Sequence, residues 1–159
     1  SRSGSAGTDY QTFALNDIVA DAIRLIRLIH KGRQVECINH CPPELKLFGD
    51  RQRLSQVLVN LLTNACDASQ PGSEVEIFAF AKQGRVQIEV MDQGQGIPEQ
   101  VRKSMFEPFF TTKKPGEGTG LGLSLVHKII QEHNGQIEVD SDPAAGTRVV
   151  IRLPCRDQR

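Results

Sequence analysis

The stretch that decides this fold reads Asp92-Gln93-Gly94-Gln95-Gly96-Ile97-Pro98, then Phe106-Glu107-Pro108-Phe109-Phe110-Thr111-Thr112-Lys113, and then Gly116-Glu117-Gly118-Thr119-Gly120-Leu121-Gly122-Leu123. An acid ends a strand pattern, and two glycine runs flank an aromatic segment. Glycine lets the backbone approach a ligand closely, and a helix N-terminus attracts phosphate. Because the second glycine run opens a helical pattern, the stretch predicts a nucleotide site with a mobile lid.

A second informative stretch is the helix predicted from about Arg51 to Ala68, with Asp50 as its N-cap. At about 100° per residue, its leucines form one apolar face. Asn is a mediocre helix former, yet two asparagines lie four residues apart on another side. That side is either a polar surface or a ligand-facing stripe whose amide oxygens coordinate a hard cation such as Mg²⁺. The stripe consists of Arg53, Gln56, Asn60, Asn64 and Asp67.

Alternation along the strands places two polar residues on the buried side of the sheet. Asp92 has the parity of Val86, Ile88 and Val90 at a strand end, and Thr147 has core parity where the last strand begins. A buried acid needs a hydrogen-bonding partner. For Asp92 the candidates are the adjacent turn and an amino group on a ligand.

The strands have one apolar and one charged face, which predicts an α+β, two-layer sandwich. Its sheet is mixed, mostly antiparallel and about five strands wide, with helices on one face. Residues 74–81 and 85–91 should form a hairpin, and residues 34–39 a short strand. The other predicted elements are a helix capped by Asn16 and ended by Gly32, a short helix from Pro98 to about Met105, and a helix from Leu121 to Asn134 capped by Gly135.

The composition is that of an ordinary globular domain. The 159 residues include 19 Lys or Arg and 19 Asp or Glu, and this zero net charge argues against a general nucleic-acid binder. No apolar run approaches the roughly 20 residues of a membrane helix, and no signal-peptide pattern is present. The spacing of the four cysteines suggests no disulfide framework, so we expect a reducing, cytoplasmic location. Residues 1–9 are expected to be a linker or a tag remnant, and residues 10–159 one domain.

The four cysteines, at positions 37, 41, 66 and 155, have no disulfide-framework spacing. Cys66 lies in an apolar helical pattern and is expected to be a small core residue. Cys37, His40 and Cys41 offer three possible zinc ligands without a clear fourth, so zinc binding is the less favoured interpretation.

Taken together, these motifs resemble the catalytic ATP-binding domain of sensor histidine kinases, within the ATPase superfamily that also contains gyrase B, Hsp90 and MutL. The resemblance covers about Phe13 to Pro154 and implies a Bergerat-type fold. The matching segments are residues 53–65 (the N box), Asp92-x-Gly94-x-Gly96 (the G1 box), residues 106–113 (the F box), residues 118–123 (the G2 box) and Gly146-Thr147. The F box favours histidine kinases over the other branches.

The resemblance implies Mg²⁺ and ATP as ligands, with a role for each matching position. Asn64 would be the principal Mg²⁺ ligand, with Asn60 beside it at the phosphates. Asp92 would accept a hydrogen bond from the adenine amino group, supported by Thr147. The adenine pocket would be lined by Gly94, Gly96 and Ile97. The lid side would bring Thr111, Thr112, Lys113, Gly118, Thr119, Gly120, Leu121, Gly122 and Leu123 to ATP, and the implied catalytic residues are Asn60, Asn64 and Lys113.

One family feature is missing, because no histidine here has the phosphoacceptor context His-Glu-x-x-[Asn/Gln]-Pro. The resemblance therefore implies a phosphoryl donor. It would pass the γ-phosphoryl group to a histidine on a separate dimerisation domain, and a response regulator would then take it. The implied setting is bacterial, with a monomeric fragment, a homodimeric full kinase, and neither nucleic-acid nor direct membrane contact.

Asp67 stands where many of these kinases carry lysine. The pattern Asn64-Ala65-Cys66-Asp67-Ala68 resembles more closely the nitrogen- and oxygen-sensing subgroup. Two alternatives stay open at this point. One is a related ATPase or protein serine kinase of the same superfamily, and the other is a non-catalytic nucleotide-binding module.

Overall fold

The computed structural model describes residues 9–32, 34–93, 122–142 and 146–155. Within these ranges the chain forms three helices and seven strands. The helices are α1 (Leu15–Ile29), α2 (Arg51–Ala68) and α3 (Gly122–Glu132). The strands are β1 (Tyr10–Ala14), β2 (Glu36–Asn39), β3 (Lys46–Asp50), β4 (Glu74–Lys82), β5 (Arg85–Asp92), β6 (Gln136–Asp142) and β7 (Gly146–Pro154).

Five of these strands form one sheet in the order β2-β4-β5-β7-β6. Strands β2 and β4 are parallel, and the other three neighbouring pairs are antiparallel. Gln83 and Gly84 join β4 to β5 with φ angles of 52° and 77°, as a tight hairpin turn requires. The predicted mixed, mostly antiparallel five-stranded sheet is confirmed.

The helices cover one face of this sheet and enclose a single apolar core. Helix α2 packs against α1, α3 and strand β5, so it lies at the centre of the helical layer. The other face of the sheet carries charged and polar side chains together with Phe78 and Phe80 of β4. There Arg148 makes an ion pair with Glu89, with Nε 3.1 Å from Oε1, and Arg152 donates to Gln87. The predicted two-layer sandwich is thus confirmed.

Helix α2 has the bounds that the sequence predicts, because its start and its buried face are both encoded locally. The Asp50 side chain accepts a hydrogen bond from the Arg53 N–H at 3.2 Å, which satisfies a donor that the first helical turn leaves without a partner. Its apolar face is fully buried, with Leu54, Leu58, Leu61 and Leu62 at most 3% exposed.

Two predicted helix caps are wrong. Helix α1 begins at Leu15, whose N–H donates to the Leu45 carbonyl, and Asn16 lies inside the helix and accepts from Asn39. At the end of α3 the left-handed residue is Asn134, with φ of 58°, rather than Gly135. The Gly135 N–H still donates to the Ile130 carbonyl at 2.9 Å, so this end has the hydrogen bonds of a Schellman motif.

A small second sheet was not predicted. Strands β1 and β3 pair antiparallel, with Tyr10 opposite Asp50 and Ala14 opposite Lys46. Both strands are only five residues long, and the residues that pair are more than 30 positions apart in the sequence, so no local pattern indicates this pairing.

Among the described residues, no helix is long and apolar enough to cross a membrane.

Candidate functional site

Asp92 is the last residue of β5, Thr147 lies at the start of the neighbouring strand β7, and the two residues meet there. They are directly opposed in the pairing of β5 with β7, and each is only 7% exposed. The Thr147 N–H donates to Asp92 Oδ1 over 3.3 Å. The predicted burial of both residues is therefore confirmed, and the structure brings them into contact. A buried carboxylate at a sheet end is suited to accept hydrogen bonds from a ligand's amino group.

Ser141 extends this polar corner to a third strand, and the sequence analysis missed it. It lies opposite Thr147 in β6, and its Oγ is 3.2 Å from Thr147 Oγ1. Ser141 has the same parity as the apolar residues Ile137 and Val139, so strand alternation would have placed it on the core side. The corner thus combines one carboxylate with two hydroxyl groups.

Gly146 allows the backbones of β5 and β7 to approach at this corner. Its φ is +99°, a conformation that residues with a side chain rarely adopt. A Cβ atom built there would lie 2.1 Å from the Asp92 carbonyl oxygen, far inside van der Waals contact. Glycine at this position therefore keeps Asp92 and Thr147 in register.

The predicted polar stripe of α2 divides into two parts. Arg53 donates to Glu132 of α3 at 2.5 Å, so this end of the stripe joins two helices. Asn60 and Asn64 are half-buried and lie one helical turn apart on the same side of α2. Amide oxygens at this spacing fit a single hard cation or a phosphate group bound to one. Gln56 is exposed, and Asp67 is half-buried.

The second glycine run leads into a helix, as predicted, because α3 begins at Gly122. Leu123 is half-buried and packs against the apolar core. The other predicted site residues lie outside the described residues. They are Gly94, Gly96, Ile97, Thr111, Thr112, Lys113, Gly118, Thr119, Gly120 and Leu121, together with the predicted short helix from Pro98 to Met105.

Residues 49–157 match the family of histidine kinase-, DNA gyrase B- and HSP90-like ATPases. The chain belongs to this family. It resembles the catalytic domain of the histidine kinase ThkA, with a TM-score of 0.83, 30% identity, and coverage of 93% of this chain and 97% of that one. The resemblance to a histidine kinase ATP-binding domain, with ATP as the nucleotide, is thereby confirmed.

Curated relatives of this ATPase domain are named as kinases. Sporulation kinase A of Bacillus subtilis (strain 168) is 43% identical over 106 residues, which are 67% of this chain and 17% of that protein. The sensor histidine kinase ZraS of Escherichia coli (strain K12) is 35% identical over 147 residues, which are 91% of this chain and 31% of ZraS. The chain therefore spans less than a third of the length of these relatives.

His133 holds the helical layer of the ATPase domain together. It is 5% exposed, its Nε2 accepts from the Asp50 N–H at 3.0 Å, and its Nδ1 is 2.8 Å from the Ile129 carbonyl. Because a carbonyl oxygen only accepts, Nδ1 carries the proton and the ring is neutral. Burial lowers the pKa of His133 and favours this neutral form. The ring thus joins the end of α3 to the residue that caps α2.

The structure does not support the zinc interpretation. Cys37 contacts Cys66, with 3.8 Å between the sulfur atoms, and His40 Nε2 lies 3.0 Å from Glu76 Oε2. Three or more ligand-type side chains do not come together anywhere in the part of the chain that the structure describes. The expected core position of Cys66 is confirmed, since it is 1% exposed.

Proposed function

We propose that this domain binds ATP together with Mg²⁺ and donates the γ-phosphoryl group to a histidine on a separate dimerisation domain. A response regulator would then receive the group. The observation that carries the proposal is the buried contact of Asp92 with Thr147 at the end of β5, a strand that packs against α2, the helix that carries the half-buried Asn60 and Asn64. The names of ZraS and sporulation kinase A support kinase chemistry.

Asp92 is proposed to select adenine. An ionised carboxylate only accepts hydrogen bonds, and adenine offers an amino group where guanine has a carbonyl oxygen. Since Asp92 is 7% exposed, water competes poorly for its oxygens, and a base that left the carboxylate without this contact would bind more weakly. Thr147 and Ser141 would support the carboxylate from β7 and β6.

Asn60 and Asn64 are proposed to serve the phosphate end of the nucleotide. Their amide oxygens fit Mg²⁺, with Asn64 as the principal ligand. Bound Mg²⁺ would supply charge neutralisation at the phosphate oxygens. Since α2 packs against both α1 and α3, its backbone is well supported, and the two amides would hold the phosphates in one orientation.

The remaining contacts are proposed from the motifs. Gly94, Gly96 and Ile97 would line the adenine pocket, and Thr111, Thr112 and Lys113 would approach the phosphates. The backbone from Gly118 to Leu123 would do the same, which fits the start of α3 at Gly122, because a helix N-terminus favours phosphate.

The setting of the domain is also part of the proposal. Residues 10–159 would act as one ATP-binding domain, with residues 1–9 as a linker or tag remnant. The parent protein would be a bacterial, homodimeric kinase with this domain in the cytoplasm. The chain matches only 17% of sporulation kinase A and 31% of ZraS, which supports the presence of further domains in the parent protein.

The decisive experiment combines the domain with the parent's dimerisation domain and ATP labelled at the γ-phosphorus. We expect labelled phosphohistidine, which is acid-labile and base-stable, and its loss when the acceptor histidine is replaced by glutamine. Acid-stable phosphoserine would contradict the proposal and favour a serine kinase. Failure to bind Mg-ATP in calorimetry would favour a non-catalytic module whose nucleotide site is inactive.

A further inference from the structure

A cleft of about 370 Å³ lies between the end of α1, strand β2 and helix α2, and neither Asn64 nor Asp92 is among the residues that line it. Arg27, His30 and Lys31 line it, and Cys37 and Cys66 line its interior. The cleft has basic side chains and two thiols, and none of these groups has a role in the proposed phosphoryl transfer.

The two thiols are positioned to react with each other. Their sulfur atoms are 3.8 Å apart and 29 positions separate the residues in the sequence. A disulfide has a sulfur–sulfur distance of about 2.05 Å, so a closure of less than about 2 Å would form the bond. Cys37 lies on β2 and Cys66 on α2, so the bond would join the edge strand of the sheet to the central helix.

The surroundings of Cys37 favour its reactive thiolate form. The hydrogen bond from Cys66 lowers the pKa of Cys37, and nearby Arg27 adds to this effect against the opposing effect of burial. Cys41 offers a close comparison, because it is equally buried at 7% exposed. Burial alone raises the pKa of Cys41 to about 11. Cys37 and Cys41 are equally exposed, so the difference between their pKa values comes from the neighbours of Cys37, chiefly the hydrogen bond from Cys66.

We propose that Cys37 and Cys66 form a peroxide-sensitive dithiol, in which Cys37 reacts first and Cys66 resolves the product. The Cys37 sulfur attacks one oxygen of hydrogen peroxide and the O–O bond breaks, which gives a sulfenic acid on Cys37 and one water. The Cys66 sulfur then displaces hydroxide from the Cys37 sulfenic acid, and the hydroxide leaves as water with the thiol proton. Two thiols are oxidised by two electrons, and one peroxide is reduced to two waters.

The test treats the reduced, folded domain with one equivalent of hydrogen peroxide and then blocks the remaining thiols. We expect an intact mass lower by about 2 Da before blocking, loss of two of the four thiols, and a linked peptide pair containing Cys37 and Cys66. The same treatment in denaturant should give mixed pairings, because the contact depends on the fold. Oxidation of the folded domain that starts at Cys41 or Cys155 would overturn the proposal.

Two variants separate the roles of the sulfurs. Cys66→Ser removes the resolving sulfur but keeps a hydrogen-bond donor beside Cys37, so Cys37 should accumulate as a sulfenic acid that dimedone traps. Cys41→Ala is the matched control and should form the disulfide like the parent domain. In the unsubstituted domain Cys37 should react at least about tenfold faster than Cys41. The pKa of Cys37 is lowered and that of Cys41 is raised, and the larger thiolate fraction of Cys37 outweighs its lower nucleophilicity.

Equal reactivity of Cys37 and Cys41 would refute the proposed activation. The peptide map of the unsubstituted domain needs no variant, so it decides the pairing even if Cys66→Ser folds poorly. The experiment contains no nucleotide, and its result is therefore independent of the proposed kinase activity.

Discussion

Replacing Asp92 by asparagine tests the proposed recognition of adenine, because it removes a charge and leaves the shape of the side chain nearly unchanged. The amide oxygen of asparagine still accepts from the Thr147 N–H. That bond is long, at 3.3 Å, so weakening it should cost less than about 1 kcal/mol of folding free energy. We therefore expect Asp92→Asn to fold normally.

The expected loss of ATP affinity follows from the burial of this carboxylate. A hydrogen bond to a charged group contributes about 1.5–3 kcal/mol, which corresponds to about a 10- to 150-fold change in Kd. Asp92 is 7% exposed, so water replaces the lost contact poorly, and we expect a value in the upper half of this range. The new amide N–H donor suits the guanine carbonyl, so the preference for ATP over GTP should narrow.

Isothermal titration calorimetry with ATP and GTP measures both effects in the presence of Mg²⁺. Glu89→Gln is the matched control, because it makes the same change of charge three residues earlier on β5. Glu89 lies on the face of the sheet away from the helices, where it pairs with Arg148. This control should bind ATP with the affinity of the parent domain.

The proposed contact would be refuted by a folded Asp92→Asn domain with unchanged ATP affinity. An equal loss for ATP and GTP would also contradict it, since the damage would then not concern the base. A similar loss in Glu89→Gln would show that net charge, rather than the position of Asp92, determines the affinity.

Three further predictions concern other parts of the site. Gly146→Ala should lower the free energy of unfolding in urea by about 1–3 kcal/mol more than Gly84→Ala, because both positions have positive φ but only Gly146 faces a backbone clash. Asn64→Ala should weaken ATP binding about tenfold or more in Mg²⁺ and much less in EDTA, while Gln56→Ala should change neither affinity. Because the pKa of His133 is lowered by folding, the unfolded chain binds its proton more readily, so the free energy of unfolding should fall as pH drops below about 6.5. His133→Gln should have a shallower slope between pH 8 and pH 5, and an unchanged slope would exclude His133 as the group responsible.

Much of the fold is encoded in patterns that are local in the sequence. The bounds of α2 follow from Asp50 and the spacing of its leucines, because capping and helical periodicity act within a few residues. Strand parity likewise placed Asp92 and Thr147 on the buried face, since alternation depends only on the strand itself. The glycine runs likewise indicated a nucleotide site, because a glycine run is a local feature of the sequence.

Contacts between distant segments were decided only by the tertiary structure. The pairing of β1 with β3 joins short segments, and it displaced the predicted cap at Asn16 because the Leu45 carbonyl takes the first N–H of α1. The bonds of His133 to Asp50 and the contact of Cys37 with Cys66 likewise join residues far apart in the chain.

The amino-acid sequence by itself determined which side of the predicted helices and of most strands faces the core of this ATPase domain, because that choice depends on local spacing. The tertiary structure decided which of them meet. Packing α2 between α1 and α3 selects one set of neighbours for each side chain, and no periodic pattern in the sequence encodes that selection.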